Sequence, residues 1–339
     1  MLLHAPDAGY RLQVMLCELV DLAGTCRKVA LKQPFYDDTP ATASIDLQLE
    51  EVDIKLLAKE GTMHATMCHP NIVEFEGSIE HEGTLGLLLE YCPLKPRDML
   101  QSCSVGQLLC FMKHALQAMQ YMHDAGYVHG DIKLDNFVAC MVGETSDRCY
   151  KLIDFGLSAS IDTRAWHPIG TLTHMATELF NSTYRTPGHM TPAADVFSFG
   201  AMVMEVLAGM PLDTVITAKY IAAAHADDSG LMSVFDHINQ DDFLVPTERW
   251  CKVLWLKHLV ELCLHRDPWR RPSVAVLLET VQMEINNLTP DQDVLVVKAL
   301  PYETAADTQT DALHVEVPVE MPEDVQATTP TVRATLLLH

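Results

Sequence analysis

Val128-His129-Gly130-Asp131-Ile132-Lys133-Leu134-Asp135-Asn136, followed eighteen residues after Asn136 by Asp154-Phe155-Gly156, is the stretch on which the reading of this chain turns. Its polar residues suit phosphoryl transfer. A carboxylate (Asp131) can orient an attacking hydroxyl, and a lysine two residues on (Lys133) can meet the moving phosphoryl charge. Asn136 can ligate Mg²⁺, and a second carboxylate (Asp154) can bridge metal to the β- and γ-phosphates. These residue types are needed because the transition state spreads negative charge over phosphoryl oxygens, and positioned cations do most of the stabilising.

Working outward, the 339 residues suffice for one large two-lobed domain plus a tail. With 48% hydrophobic residues a sizeable core is expected and wholesale disorder is excluded. A net charge of −23 argues against nucleic acid, whose binding needs clustered Lys and Arg. It argues equally against an anionic membrane surface. The ten cysteines form no CxxC pair, as expected of reduced thiols in a cytoplasmic or nuclear protein. Met1 to Tyr10 carries no secretory signal pattern. Phe197 to Leu212, the most apolar window, holds Glu205 and two glycines and reads as a buried helix. His64, Cys68 and His69 have metal-ligand chemistry but no second pair nearby, so they are not read as a metal site.

Between Val14 and Lys32, apolar runs split by Asp21-Leu22-Ala23-Gly24 predict a hairpin. Ile45 to Lys59 has helical spacing, and Ile72–Phe75 and Leu85–Tyr91 read as strands. Residues 1 to about 92 therefore form a small β-rich lobe with one helix. Helices are then predicted at Val105–His123, Ala193–Ala208, Thr217–Ala224, Arg249–Leu264 and Ser273–Ile285, making a larger helical lobe to about residue 287. The methionines of the 105–123 face read as core filling. Residues 288–339 hold nine acidic residues against Lys298 and Arg333, without periodicity, and read as an acidic disordered tail available to a partner.

The 128–136 stretch and Asp154-Phe155-Gly156 resemble the catalytic loop and metal-binding triplet of eukaryotic-type protein kinases. Four further segments resemble the family in the same order. Lys32 ends a Val-Ala-Leu-Lys strand, and Ala176-Thr177-Glu178 stands where the family has Ala-Pro-Glu. Ala194-Asp195-Val196-Phe197-Ser198-Phe199-Gly200 resembles the start of the central helix, whose Asp tethers the catalytic loop. Arg266-Asp267-Pro268-Trp269-Arg270-Arg271-Pro272 resembles the closing motif, with Arg271 paired to Glu178. The resemblance implies an α+β, bilobal protein-kinase fold with ATP in the cleft, and Lys133 with Thr171 resembles the Ser/Thr branch. It implies Asp131 and Lys133 as catalytic residues and Asn136 and Asp154 as Mg²⁺ ligands. Lys32 would hold the α/β-phosphates, backed by Asp53 or by Glu50, a turn earlier. Val14, Ala30, Leu89, Glu90 and Cys92 would line the nucleotide site, with adenine bonded to backbone around Glu90 and Cys92.

The chain departs from the family at two places. The glycine-rich loop is reduced to Gly9 within Asp7-Ala8-Gly9-Tyr10, and Gly130 replaces the usual arginine before the catalytic Asp. That arginine often clamps a phosphate three residues before Gly170, where this chain has His167. Both halves of the switch being absent, the expectation is a Ser/Thr protein kinase independent of activation-loop phosphorylation, acting on protein Ser/Thr hydroxyls. The alternative is a pseudokinase scaffold. The compact small lobe and eroded loop further suggest a source in a large DNA virus.

Overall fold

The computed structural model describes residues 12–20, 25–34, 43–81, 84–143, 147–166, 169–180, 188–209, 211–212, 253–297 and 335–338. Gly9, the Asp21–Gly24 turn, His167 and the helix expected over Thr217–Ala224 lie outside them. The chain divides into two compact units, residues 1–68, 73–91 and 302–339, and residues 69–72 and 92–301. The first is β-rich and the second mainly helical, giving the α+β, bilobal protein-kinase fold.

In the smaller unit, β1 (Leu12–Val20) and β2 (Cys26–Pro34) form the expected hairpin, with Val14 opposite Lys32 and Leu16 opposite Ala30. The helix α1 (Ala43–His64) follows, then β3 (Phe75–His81) and β4 (Thr84–Glu90). The strand expected at Ile72–Phe75 instead starts at Phe75 and runs on through Glu76-Gly77-Ser78. An apolar-run criterion misses it because β3 is a polar edge strand, completed by its ladder to β4. The antiparallel sheet has the order β13-β1-β2-β4-β3, where β13 is Thr335–Leu338. Leu57 of α1 is fully buried with Leu87 and Leu89 of β4, which docks the helix on the sheet.

The larger unit is organised on α3 (Val105–Asp124), which follows α2 (Pro96–Leu100) and the two-residue β5 (Cys103–Ser104). A capping box opens α3. The Ser104 hydroxyl accepts from Gln107 N–H, and Gln107 Oε1 accepts from Ser104 N–H at 2.9 Å. Leu108, Met112, Ala115, Leu116, Met119 and Met122 are all buried, so the methionine stripe is core. Next come β6 (Tyr127–Val128), β7 (Phe137–Met141), β8 (Arg148–Leu152), β9 (Ala159–Ser160) and β10 (Arg164–Ala165). Then follow α4 (Thr177–Phe180), β11 (Gly188–His189), α5 (Pro192–Ala208), α6 (Leu254–Cys263), α7 (Val274–Asn287) and β12 (Leu295–Val297). From Ala194 to Ala208 every residue of α5 is buried, as the apolar window predicted. Among the described residues no helix is long and apolar enough to cross a membrane.

The boundary drawn at residue 287 differs from the structure. Beyond α7, β12 pairs with β5, and Val105 donates its N–H to Val294 O at 3.1 Å. Gly106 N–H donates to Asp293 Oδ1 at 2.8 Å. Acidic composition argued for disorder there, but Asp293 is placed at the start of α3, where N–H donors and the helix dipole favour a carboxylate.

One histidine ties the small unit to pH. His64 Nε2 lies 2.7 Å from Val73 O in a buried site. Burial lowers its pKa to about 4; the bond to Val73 opposes this and the Lys32 charge adds to it. The folded chain thus keeps the ring neutral while the unfolded chain protonates it below its ordinary 6.5. Stability present above pH 6.5 should therefore be lost as pH falls towards 4, by about 3 kcal/mol in all. Urea midpoints followed over that window should show the loss in the natural protein and a flatter profile in His64→Gln.

Candidate active site

A buried carboxylate sets the loop. Asp195, on the first turn of α5, is 1% exposed and accepts from His129 N–H at 2.8 Å and Gly130 N–H at 2.9 Å. His123 Nε2, at the end of α3, lies 2.8 Å from its Oδ2. Burial alone would raise the Asp195 pKa; His123, His129 and the Gly130 N–H outweigh it and hold the carboxylate ionised. His129 is fixed in turn. Its Nδ1 accepts from Asp131 N–H, so its Nε2 donates to Ile153 O at 3.1 Å. The ring packs edge-on against buried Phe155, centroids 5.5 Å apart.

Asp131, 8% exposed, has both oxygens engaged. Oδ1 accepts from Thr171 N–H at 2.8 Å and from the Thr171 hydroxyl at 2.7 Å. Oδ2 accepts from Asn136 Nδ2 at 2.9 Å and lies 3.0 Å from Lys133 Nζ. Lys133 also donates to Thr171 Oγ1 at 2.8 Å. Burial pushes the Asp131 pKa up, but the Lys133 charge and the Thr171 hydrogen bonds bring it below its ordinary value. At neutral pH the group is a carboxylate that can only accept.

Asn136 closes the 3-10 turn Leu134–Asn136, and its amide nitrogen serves Asp131 O and Oδ2. That use leaves Oδ1 as the atom for a cation. Phe137 opposite Leu152 in the β7–β8 ladder, with Ile153 N–H donating to Asn136 O at 2.9 Å, brings Asp154 beside Asn136. Asp154 is exposed, at a left-handed φ of 65°, its carboxylate accepting from Gly156 N–H. One amide oxygen and one exposed carboxylate form a hard-oxygen donor set, which fits Mg²⁺.

The segment after Phe155 packs against Gly130. Gly130 has φ 82°, and a Cβ there would sit 2.6 Å from Met190 Cε and 3.0 Å from Leu157 O. Gly170, at φ 104°, brings its backbone so close that a Cβ would lie 2.6 Å from Gly130 O. β10 pairs with β11, Asp162 N–H donates to Met190 O, and Met190 N–H donates to Thr163 O, both at 2.9 Å. Further on, Arg271 grips Glu178 with two bonds of 2.6 and 2.8 Å, its guanidinium 5.0 Å from the Phe197 ring centroid.

In the smaller unit, Lys32 is buried on β2 and its Nζ donates to both oxygens of Glu60 at 2.8 Å. The expected partner was Asp53 or Glu50; among the described side chains the partner is Glu60. Asp53 and Glu50 lie on α1, and their side chains are outside the described residues. Glu60 is seven residues past Asp53 and so on nearly the same helix face, two turns on. Apolar spacing identified the face but not the turn. The available signal was burial: Glu60, at 3% exposed, stands next to Gly61 and one turn before buried His64, where the helix meets the sheet. Val14 and Ala30 are half-buried around Lys32, and buried Leu89 is opposite Ala30. Glu90 ends β4 with its N–H donated to Glu74 O at 2.9 Å. Cys92, half-buried, begins the larger unit. The larger unit therefore supplies an ionised acceptor beside a lysine and an oxygen pair for a cation, and the smaller unit supplies a charge-paired buried lysine.

The sequence profile described as "Protein kinase domain" matches residues 23–283. Cytokinesis protein sepH of Emericella nidulans is 27% identical over 277 residues, 79% of this chain and 18% of that protein. Serine/threonine-protein kinase TAO3 of Rattus norvegicus is 28% identical over 227 residues, covering 66% and 23%. Cell cycle serine/threonine-protein kinase CDC5/MSD2 of Saccharomyces cerevisiae is 29% identical over 257 residues, covering 73% and 32%. The chain thus spans a third or less of the length of these relatives.

Glu60→Gln leaves a buried ammonium without its counter-charge and should cost about 3–5 kcal/mol in unfolding free energy. Denaturant unfolding of Glu60→Gln beside the natural chain checks the assignment.

Proposed function

We propose that this chain, which belongs to the protein kinase family, transfers the γ-phosphoryl of Mg·ATP to Ser and Thr hydroxyls of proteins. The observation that carries the reading is Asp131, held ionised between Lys133, Asn136 and the Thr171 hydroxyl. A threonine hydroxyl donating to Oδ1 at 2.7 Å illustrates the geometry in which this carboxylate takes a hydroxyl proton. In the reaction Asp131 orients the acceptor hydroxyl and removes its proton. Lys133 offsets negative charge developing on the phosphoryl oxygens. Asn136 Oδ1 and the Asp154 carboxylate would hold Mg²⁺, and Lys32, paired with Glu60, would hold the α/β-phosphates. When bound, Mg·ATP supplies the phosphoryl group and the cation that offsets its charge.

The second part of the reading is independence from activation-loop phosphorylation. Support comes from Met190 over Gly130, the Gly170–Gly130 contact and the β10–β11 ladder, which together hold this segment with apolar and main-chain contacts. The pseudokinase alternative rests on the eroded glycine loop and on Asp53, one methylene shorter than glutamate, as the partner of Lys32; the Lys32–Glu60 pair counts against the second ground. A cytoplasmic or nuclear location, a source in a large DNA virus and a partner for the acidic C-terminal stretch are proposed on the sequence alone.

Asp131→Asn should lower radiolabel transfer from Mg·ATP by about 10²–10⁴-fold, the usual contribution of a positioned base. Equal incorporation by both proteins would remove the kinase reading. Phosphatase treatment of the purified chain should leave its transfer rate unchanged, and abolition would refute the proposed independence.

A further inference from the structure

The start of the larger unit carries a pair of thiols. Leu94 and Ala139 exchange backbone hydrogen bonds of 3.1 and 2.8 Å, which lays the segment after Cys92 along β7. This places Cys92 and Cys140 together: both are half-buried, and their Sγ atoms lie within 4.8 Å of each other. Cys140 makes one long thiol contact, 3.9 Å to Cys149 O. Cys149, opposite Cys140 in the ladder, is engaged elsewhere, with its Sγ 3.3 Å from Pro70 O and Asn71 Nδ2 donating to it at 3.7 Å. Disulfides bridge side chains at this kind of separation after small shifts, and partial exposure gives an oxidant access.

We propose that Cys92 and Cys140 form a reversible disulfide under peroxide, and that this bond lowers nucleotide affinity. One thiolate attacks hydrogen peroxide, breaking the O–O bond to give a sulfenic acid and water. The other thiolate attacks that sulfur and displaces hydroxide, which takes up a proton as a second water. Overall two thiols lose two hydrogens, and one peroxide becomes two waters. Closing the gap draws the Cys92 backbone towards β7. The effect on affinity rests on the proposed function, in which that backbone bonds adenine; the disulfide itself does not.

The test uses the full chain treated with stoichiometric hydrogen peroxide. A non-reducing digest should contain a Cys92–Cys140 linked peptide, two hydrogens lighter than the sum of its parts and cleaved by dithiothreitol. The link should be absent in Cys140→Ser and present in Cys149→Ser. Oxidation should raise the KM for ATP by about tenfold, the loss expected of one hydrogen bond drawn out of line. Dithiothreitol should restore the KM, and Cys140→Ser should not respond to peroxide. Both thiols remaining alkylatable, a Cys140–Cys149 link, or sulfinic acid at Cys92 would overturn the disulfide. A link that forms with KM unchanged would overturn its regulatory effect. A link forming in a chain without transfer activity before or after oxidation would uphold the disulfide and count against the kinase reading alone.

Discussion

Everything chemical in this molecule hangs on the ionised carboxylate of Asp195, sunk in the start of an apolar helix. A charge so placed is costly unless its lone pairs are filled. It is filled by two consecutive backbone N–H groups and one imidazole. Because those N–H groups belong to His129 and Gly130, satisfying Asp195 and shaping the catalytic loop are one event. The ring of His129 then takes Asp131 N–H on one nitrogen and Ile153 O on the other, joining the residue before Asp154 to the loop. Asp131, Asn136 and Asp154 come from segments separated in sequence, and one buried charge organises the backbone that carries them.

The loop's unusual glycine follows the same constraint. Its φ of 82°, with Leu157 O and Met190 Cε where a side chain would begin, leaves no room for an arginine. The position that a cationic side chain would use is taken by a thioether and a main-chain carbonyl. The described residues of the following segment are held by packing and by a short ladder.

How much of this was legible in the sequence depended on range. The helices α3 and α5 were legible because their burial repeats every three or four residues or is total. The Arg271–Glu178 pair and the Asp195 tether were legible because motif and chemistry agreed. Glu60 was not, since periodicity repeats every two turns and cannot say which turn meets the strand carrying Lys32. β3 was hidden because a polar edge strand is specified by its neighbour's hydrogen bonds, not its own pattern. Thr171 was visible as a branch marker, but its hydroxyl on Asp131 depends on the glycine at 170 approaching Gly130 O.

The contact between Asp293 and the start of α3 has a consequence for where this folding unit ends. Composition draws the border after Asn287, yet the donors of Val105 and Gly106 are answered by residues 294 and 293, almost two hundred positions away in sequence. The helix at the centre of the larger unit is thus closed by chain from the far side of the domain. A polypeptide trimmed at the compositional border would keep Asp131, Lys133, Asn136 and Asp154 and the Ser104–Gln107 capping box, while the Val105 and Gly106 N–H groups lose their partners, at about 1 kcal/mol for each.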